Sequence, residues 1–289
     1  MGSGEVVNSR KSWIEYYKSG AVEKNLRLSE SFKPGRLPME YQRYAFKRMC
    51  DEVESRLLYQ ERVRIWSAGS GIDTVSLHLK ARFGDSVELV LQDISEECVK
   101  ANEIMYQDAG LGAVFIQGDI LSSKFNDEYD IVVNTGLLEH FTPAEREQLL
   151  LSFSRSLKNG GIYLTLTPYQ GGKIYAWCRD AIMRHGAWPY GPELSVWTLS
   201  GLKTDEIVLL DERQVAGLDQ LVFIGAAFPL LGLVLSPLTR FLRRAHLLFE
   251  PIVLHTLGGY CIADTFVKKG NRATLVQKNV RRRTAVIGR

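Results

Sequence analysis

The spacing of hydrophobic positions changes near residue 62. Before it, aromatic residues recur at helical intervals: Trp13, Tyr16 and Tyr17 lie three and four apart and predict a helix after about residue 10. Lys33-Pro34-Gly35 interrupts the pattern, and Pro38 opens a second predicted helix over Met39 to Gln60. From Arg62 the chain alternates short apolar runs with amphipathic stretches. The runs are VRIW (63–66), VELVLQ (87–92), AVFIQ (113–117), YDIVVN (129–134) and GIYLTLT (161–167). Helical patterns lie near 72–82, 95–109 and 143–157. Strands apolar on both faces and separated by helices predict an α/β fold with a doubly wound, mostly parallel sheet. EIVLLDERQVAG (206–217) and GYCIADTFVKK (259–269) follow a long gap and fit a sixth and a seventh strand at the sheet edge.

Between those two strands lies LVFIGAAFPLLGLVLSPL (221–238), without a charge across 18 residues and followed at once by TRFLRR. Its length sits at the lower bound for a membrane span. Gly225, Pro229 and Gly232 interrupt it, and its ends must return to one sheet. The expectation is therefore a helical insertion, about 218–257, that forms one wall of an acceptor pocket. A peripheral membrane contact through 221–244 is the alternative, because apolar residues beside Arg240, Arg243 and Arg244 suit anionic lipid. So apolar a segment needs a cover, and a homodimer would supply one. The expected organisation is a helical lid region (1–60), the α/β domain (61–270) and a basic, mobile tail (271–289).

Composition narrows the function. The 289 residues are 45% hydrophobic, enough for a large core, and a net charge of +3 does not call for nucleic acid. Cys50, Cys98, Cys178 and Cys261 form no CxxC pair. They read as reduced thiols of a cytoplasmic chain, with no metal site. No secretory signal is expected at the start.

The candidate chemistry begins at RIWSAGSGIDTVSL (64–77), which reads as strand, small-residue turn, helix. Ser67, Ala68, Gly69 and Gly71 let a ligand approach the backbone, and the next helix opens with its amides toward it. Thr74 breaks the nicotinamide pattern GxGxxG, and no P-loop GK[ST] is present. Asp93 ends the second run 22 residues after Gly71. That distance suits an acid accepting from both ribose hydroxyls of a nucleoside. Gly118-Asp119-Ile120 ends the third run, where an acid can accept from an exocyclic amine. Asn134-Thr135-Gly136 ends the fourth, and Leu138-Glu139-His140-Phe141 follows. Each residue alone also suits a helix cap or turn; their order across successive strand ends is the specific signal.

SAGSG, VLQDIS, GDI, YDIVVNTGLLEHF and SLKNGGIYLTLTP, in that order, resemble the class I S-adenosylmethionine-dependent methyltransferases over about Val63 to Lys269. The resemblance implies a seven-stranded Rossmann-like sheet whose seventh strand is antiparallel. It implies S-adenosylmethionine as cofactor. Ser67, Ala68, Gly69 and Gly71 would face its methionine end, Asp93 with Ile94 its ribose, and Asp119 with Ile120 its adenine. Asn134 and Thr135 would complete that pocket, and Tyr17 would close over it from the N-terminal helix. Two departures stand out. Ser67 replaces the usual first glycine and Ile65 the usual acid in the first strand, a role that Asp73 could take over. RIWSAG is also similar to the chemotaxis-receptor glutamate methyltransferases, but their acid-rich helix start is missing.

Methyl transfer needs donor and acceptor aligned and water excluded, and a base only where the acceptor must lose a proton. Beside Glu139, His140 is the candidate base; both residues could instead orient the loop. Tyr169, Trp188 and Tyr190, in the aromatic-rich segment 169–193, are expected to meet the acceptor. That acceptor is expected to be small and hydrophobic or aromatic, methylated at oxygen, nitrogen or carbon. Left open are a nucleoside-binding protein without methyl transfer and a membrane-associated enzyme of the lipid or quinone type. A nicotinamide oxidoreductase is disfavoured by Thr74.

Overall fold

The computed structural model describes residues 14–18, 37–185, 188, 193–202 and 204–270. Trp13, the break at 33–35, Tyr190 and the tail 271–289 lie outside the described residues. Residues 14–18 form a helical turn. Helix α1 (Glu40–Leu57) leads into β1 (Val63–Ala68), α2 (Thr74–Phe83), β2 (Val87–Asp93), α3 (Glu96–Asp108), β3 (Val114–Gln117) and β4 (Tyr129–Thr135). Then come α4 (Pro143–Ser156), β5 (Leu157–Pro168), α5 (Lys173–Arg184) and β6 (Ile207–Val215). Three helices, α6 (Leu221–Ala227), α7 (Pro229–Arg244) and α8 (His246–Leu257), precede β7 (Cys261–Lys268).

The seven strands pair in the order β3-β2-β1-β4-β5-β7-β6. The first five are parallel, and β7 runs antiparallel to both β5 and β6. The doubly wound α/β expectation therefore holds, down to the antiparallel seventh strand. Alternate residues of a strand point to opposite faces, and the core splits accordingly. Ile65, Ile131, Leu164 and Val267 face one buried cluster with Met49, Val53, Leu77 and Leu79 from α1 and α2. Their neighbours Trp66, Val132, Tyr163 and Phe266 face the other, with Leu149 and Phe153 from α4.

The strand order reverses between β1 and β4, so the carboxyl ends of β1, β2 and β4 open a crevice there. Cys261 pairs with both Pro168 and Val215. The end of β5, the end of β6 and the start of β7 thus lie on one edge of the sheet, and the α6–α8 insertion emerges from it.

That insertion lies between the sixth and seventh strands as expected, but it is not a buried element. No residue of α7 or α8 is buried. Among the described residues no helix is long and apolar enough to cross a membrane. Pro229 starts α7, and Pro237 and Pro251 stand inside α7 and α8.

One buried acid makes the sheet pH-sensitive. Asp264 of β7 is 2% exposed and lies opposite Glu212 of β6. Burial first, then the Glu212 charge, pushes its carboxyl up to about 8. The unfolded chain ionises Asp264 near its ordinary value of 3.8, while the folded chain holds the proton until about pH 8. Stability should therefore fall as pH rises through this window and level off above it. Asp264→Asn should gain little over the wild type at pH 4 and several kcal/mol at pH 9, at about 1.4 kcal/mol for each pH unit of this window; denaturant melts across this range check it.

Candidate active site

The cavity at the strand reversal has a volume of about 1070 Å³, at the top of the range for small-molecule sites. One wall is the turn after β1. Gly69 and Gly71 have φ of +64° and +51°, where a side chain is strained. A Cβ on Gly69 would lie 2.6 Å from Leu137 Cδ1, and one on Gly71 would lie 3.0 Å from the Tyr17 hydroxyl. Backbone and ligand space here are kept open by missing side chains.

The turn is fastened from below. Asp93, at the end of β2, accepts from Gly71 N at 2.8 Å and from Ser95 N at 2.9 Å. Burial raises its pKa, and the backbone donors Ser95, Gly71 and Ile94 pull it back down. Ser95, rather than Asp93, caps α3 through the Cys98 amide. Asn102 of α3 accepts from Asp73 N at 3.0 Å and donates to Gly71 O at 2.6 Å.

The other sequence-derived residues divide into two groups. Gly69, Gly71, Asp93, Ile94, Asp119, Ile120, Thr135, Tyr17, Glu139, His140 and Trp188 line the cavity. Ser67, Ala68, Asp73, Asn134 and Tyr169 do not. Asp73 caps α2 by accepting from Ser76 N at 2.8 Å and from Ser67 Oγ at 2.6 Å. The expected substitute acid is thus spent on the helix start. Asn134 bridges Tyr163 and Thr165 inside the sheet. Tyr169 packs edge-on against Trp197 and accepts from Gln214. The insertion supplies no lining residue, which corrects the expected pocket wall. Its Phe223 instead backs three aromatic residues, with ring centroids 5.1 Å from Tyr175 and from Tyr260 and 6.2 Å from Trp188.

The wall facing the glycine turn carries acid–base groups. A 3₁₀ turn, Leu138–His140, follows β4 and buries Glu139 and His140. Buried Arg146 of α4 clamps the turn, donating through Nε to Leu138 O at 2.7 Å and through Nη2 to Leu194 O at 3.4 Å. Leu194 N in turn donates to Glu139 O at 2.7 Å. This backbone tie brings in Glu193, a residue that the sequence did not single out. His140 Nε2 lies 3.5 Å from Glu139 Oε1, and Glu139 Oε2 is buried without a hydrogen-bond partner among the described residues. Glu193 accepts from Tyr175 Oη at 2.5 Å and Trp188 Nε1 at 3.2 Å. Burial first, then the charge of Glu139, raises its carboxyl to about 7. Ligand atoms of Glu139, His140 and Glu193 all lie within 4.8 Å of one another. The grouping can accept a proton, and its donor set could also hold a metal ion, although none was expected.

The fold has counterparts among known proteins. Residues 65–161 match the family described as a methyltransferase domain. The α/β domain has the Rossmann-like fold of the class I methyltransferases, and residues 65–161 within it carry this match. The [4+2]-cyclase SpnF superposes with a TM-score of 0.55 at 16% identity, covering 89% of this chain and 96% of its own. A provisionally assigned sarcosine dimethylglycine methyltransferase from Galdieria sulphuraria gives 0.53 at 16%, covering 79% and 86%. Magnesium protoporphyrin IX methyltransferase from Synechocystis PCC 6803, solved with bound SAH, gives 0.52 at 14%, covering 71% and 92%. No curated protein matches the sequence.

The conformation at Gly69 is directly testable. Gly69→Ala should destabilise the domain by about 1–2 kcal/mol from its positive φ, with an added cost from Leu137. Gly69→Ala/Leu137→Ala should not carry the steric part of that cost in addition. A double-mutant cycle of thermal melts separates the two contributions.

Proposed function

We propose that this domain transfers a methyl group from S-adenosylmethionine to a small organic acceptor. The carrying observation is that one cavity joins the open glycine turn, Asp93 and Asp119 on one side to Glu139, His140 and Glu193 on the other. The residues fit the donor: the turn carries only small side chains or none, and Asp93 keeps acceptor capacity beyond its backbone donors. When bound, S-adenosylmethionine supplies an electrophilic methyl group on a sulfonium.

On this reading Gly69 and Gly71 admit the methionine end, Asp93 holds the ribose hydroxyls, and Asp119 with Ile120 receives the adenine. Tyr17, over Gly71, excludes water from that side. An acceptor hydroxyl or amine lies toward Trp188. His140, 3.5 Å from the Glu139 carboxylate, takes the proton released as the acceptor atom forms its new bond to carbon. The positive charge then on the imidazole is balanced by Glu139. Glu193, titrating near neutrality, orients the acceptor by hydrogen bonding. Trp188 and Tyr260 give the acceptor side an apolar, aromatic surface, which favours a hydrophobic or aromatic substrate. The cyclase SpnF shares the fold, so fold alone does not establish methyl transfer; the paired walls of one cavity are what support it here.

Two measurements test the reading. Asp93→Ala should lose about 2–4 kcal/mol of donor binding, on the order of 30-fold or more in Kd by calorimetry, while melting cooperatively. A loss below about threefold would return Asp93 to a purely structural role. Glu139→Gln should leave donor affinity near that of the wild type and lower methyl incorporation by about 100-fold. The readout is mass spectrometry of small-molecule extracts incubated with methyl-deuterated donor. Tight donor binding with no labelled product from any extract would favour a nucleoside-binding protein without methyl transfer.

A further inference from the structure

We propose that the α6–α8 insertion is a docking surface for an anionic lipid bilayer, set beside the mouth of the cavity. The first observation is the unpartnered apolar face. Leu230, Leu233, Val234, Leu247, Leu248 and Ile252 are all more than half exposed, with Leu230 at 82% and Leu247 at 81%. They come from two successive helices in which nothing is buried. Soluble monomers rarely leave so many large aliphatic side chains in water on one element.

The second observation is the sign of the charge around that face. Between Leu221 and Leu257 the ionised side chains are Arg240, Arg243, Arg244 and Glu250. Glu250 points inward, accepting from the Gly217 and Leu218 amides. Arg243 is drawn back to Asp219, 3.7 Å away, and to the Pro38 carbonyl. Arg240 and Arg244 remain exposed at the end of α7, so the rim is cationic. Aliphatic residues flanked by arginines are the pattern that enters the headgroup boundary of an anionic membrane.

A second copy of the chain is the weaker occupant. A two-fold contact would place the same patch against itself, bringing Arg240 and Arg244 toward their own images with no exposed acid in the insertion to neutralise them. The large exposed apolar residues of the insertion are leucine, isoleucine and valine apart from Phe241, a face poor in the aromatic anchors that mark protein interfaces. A span is ruled out by helix length and by Pro237 and Pro251 inside the helices. The insertion would lie on the bilayer.

Placement gives the surface a use. The insertion leaves the sheet edge formed by Pro168, Val215 and Cys261. Arg243 donates to Pro38 O, and Pro38 and Met39 line the cavity. The insertion therefore touches the cavity rim through Arg243, and its Phe223 packs on Trp188 and Tyr260, which line the cavity. If the proposed methyl transfer holds, the acceptor is a bilayer-soluble molecule that reaches the cavity from the membrane. Docking itself does not rest on that reading.

Flotation of the full chain with vesicles tests the inference. The protein should float with mixed phosphatidylcholine–phosphatidylglycerol vesicles and much less with phosphatidylcholine alone. Leu233→Asp/Leu248→Asp replaces exposed residues, so the fold should persist by thermal melt. That variant should lower vesicle partitioning by about tenfold or more. Arg240→Glu/Arg244→Glu should remove the preference for anionic vesicles. Donor binding should be unchanged in both variants, which separates this test from that of the methyltransferase reading. Three results would overturn the proposal: no flotation with anionic vesicles; flotation that Leu233→Asp/Leu248→Asp leaves intact, which would assign it to the basic tail; or a stable dimer that protects these residues from hydrogen exchange and does not bind vesicles.

Discussion

The glycine-turn side of the cavity depends on one carboxylate. Asp93 is 7% exposed, and its two oxygens accept from Gly71 N and Ser95 N. It thereby joins the turn after β1 to the start of α3. Burying an acid is costly, and the raised pKa reports that cost. Backbone donors offset it, and they can do so only if Gly71 keeps its left-handed conformation. Asn102 then closes the loop from α3 by holding both Asp73 N and Gly71 O. The glycine turn is thus a rigid piece, positioned from β2 and α3 before any ligand arrives.

The opposite wall, with Glu139, His140 and Glu193, is built on a different device. Its groups come from the turn after β4 and from residues 193–194. Neither is part of a long regular element. Arg146 and the Leu194–Glu139 backbone contact bind them together. Arg146 is itself buried, which lowers its pKa against the raising influence of Glu139. Arg146 acts on Glu139, and His140 with Arg179 on Glu193, which offsets the repulsion between the two acids.

The strands were legible because apolar runs on both faces leave little choice of element. β5 was the least well bounded: it begins at Leu157, not 161. Its Lys158, between the predicted helix and the predicted run, donates to Asp130 of the neighbouring strand. Helix α5 was hidden in a segment rich in aromatic residues and glycine. Asp93, Asp119 and the glycines were readable because they follow strand ends in fixed order. Glu193 was not, because its approach to Glu139 and His140 is made by a long-range backbone contact that leaves no periodic trace. Asp73 looked available as an acid because the Ser67 hydroxyl that occupies it lies six positions away across the turn. The insertion misled in another way: an uncharged run reads as buried, whereas α7 and α8 present theirs outward.

The order of the last two strands also shapes how the domain assembles. β6 has its strand pairing with β7 and none with β5. When the ribosome has delivered β6, its in-sheet neighbour is still missing, separated by the whole α6–α8 insertion. The parallel strands up to β5 can pair beforehand, and β6 must wait for β7 to slot in between. Sheet completion is therefore a late, long-loop event, slow for entropic reasons. Until it happens, the apolar helices between them hang from an unfinished edge as the part of the nascent chain most exposed to chaperones and to aggregation.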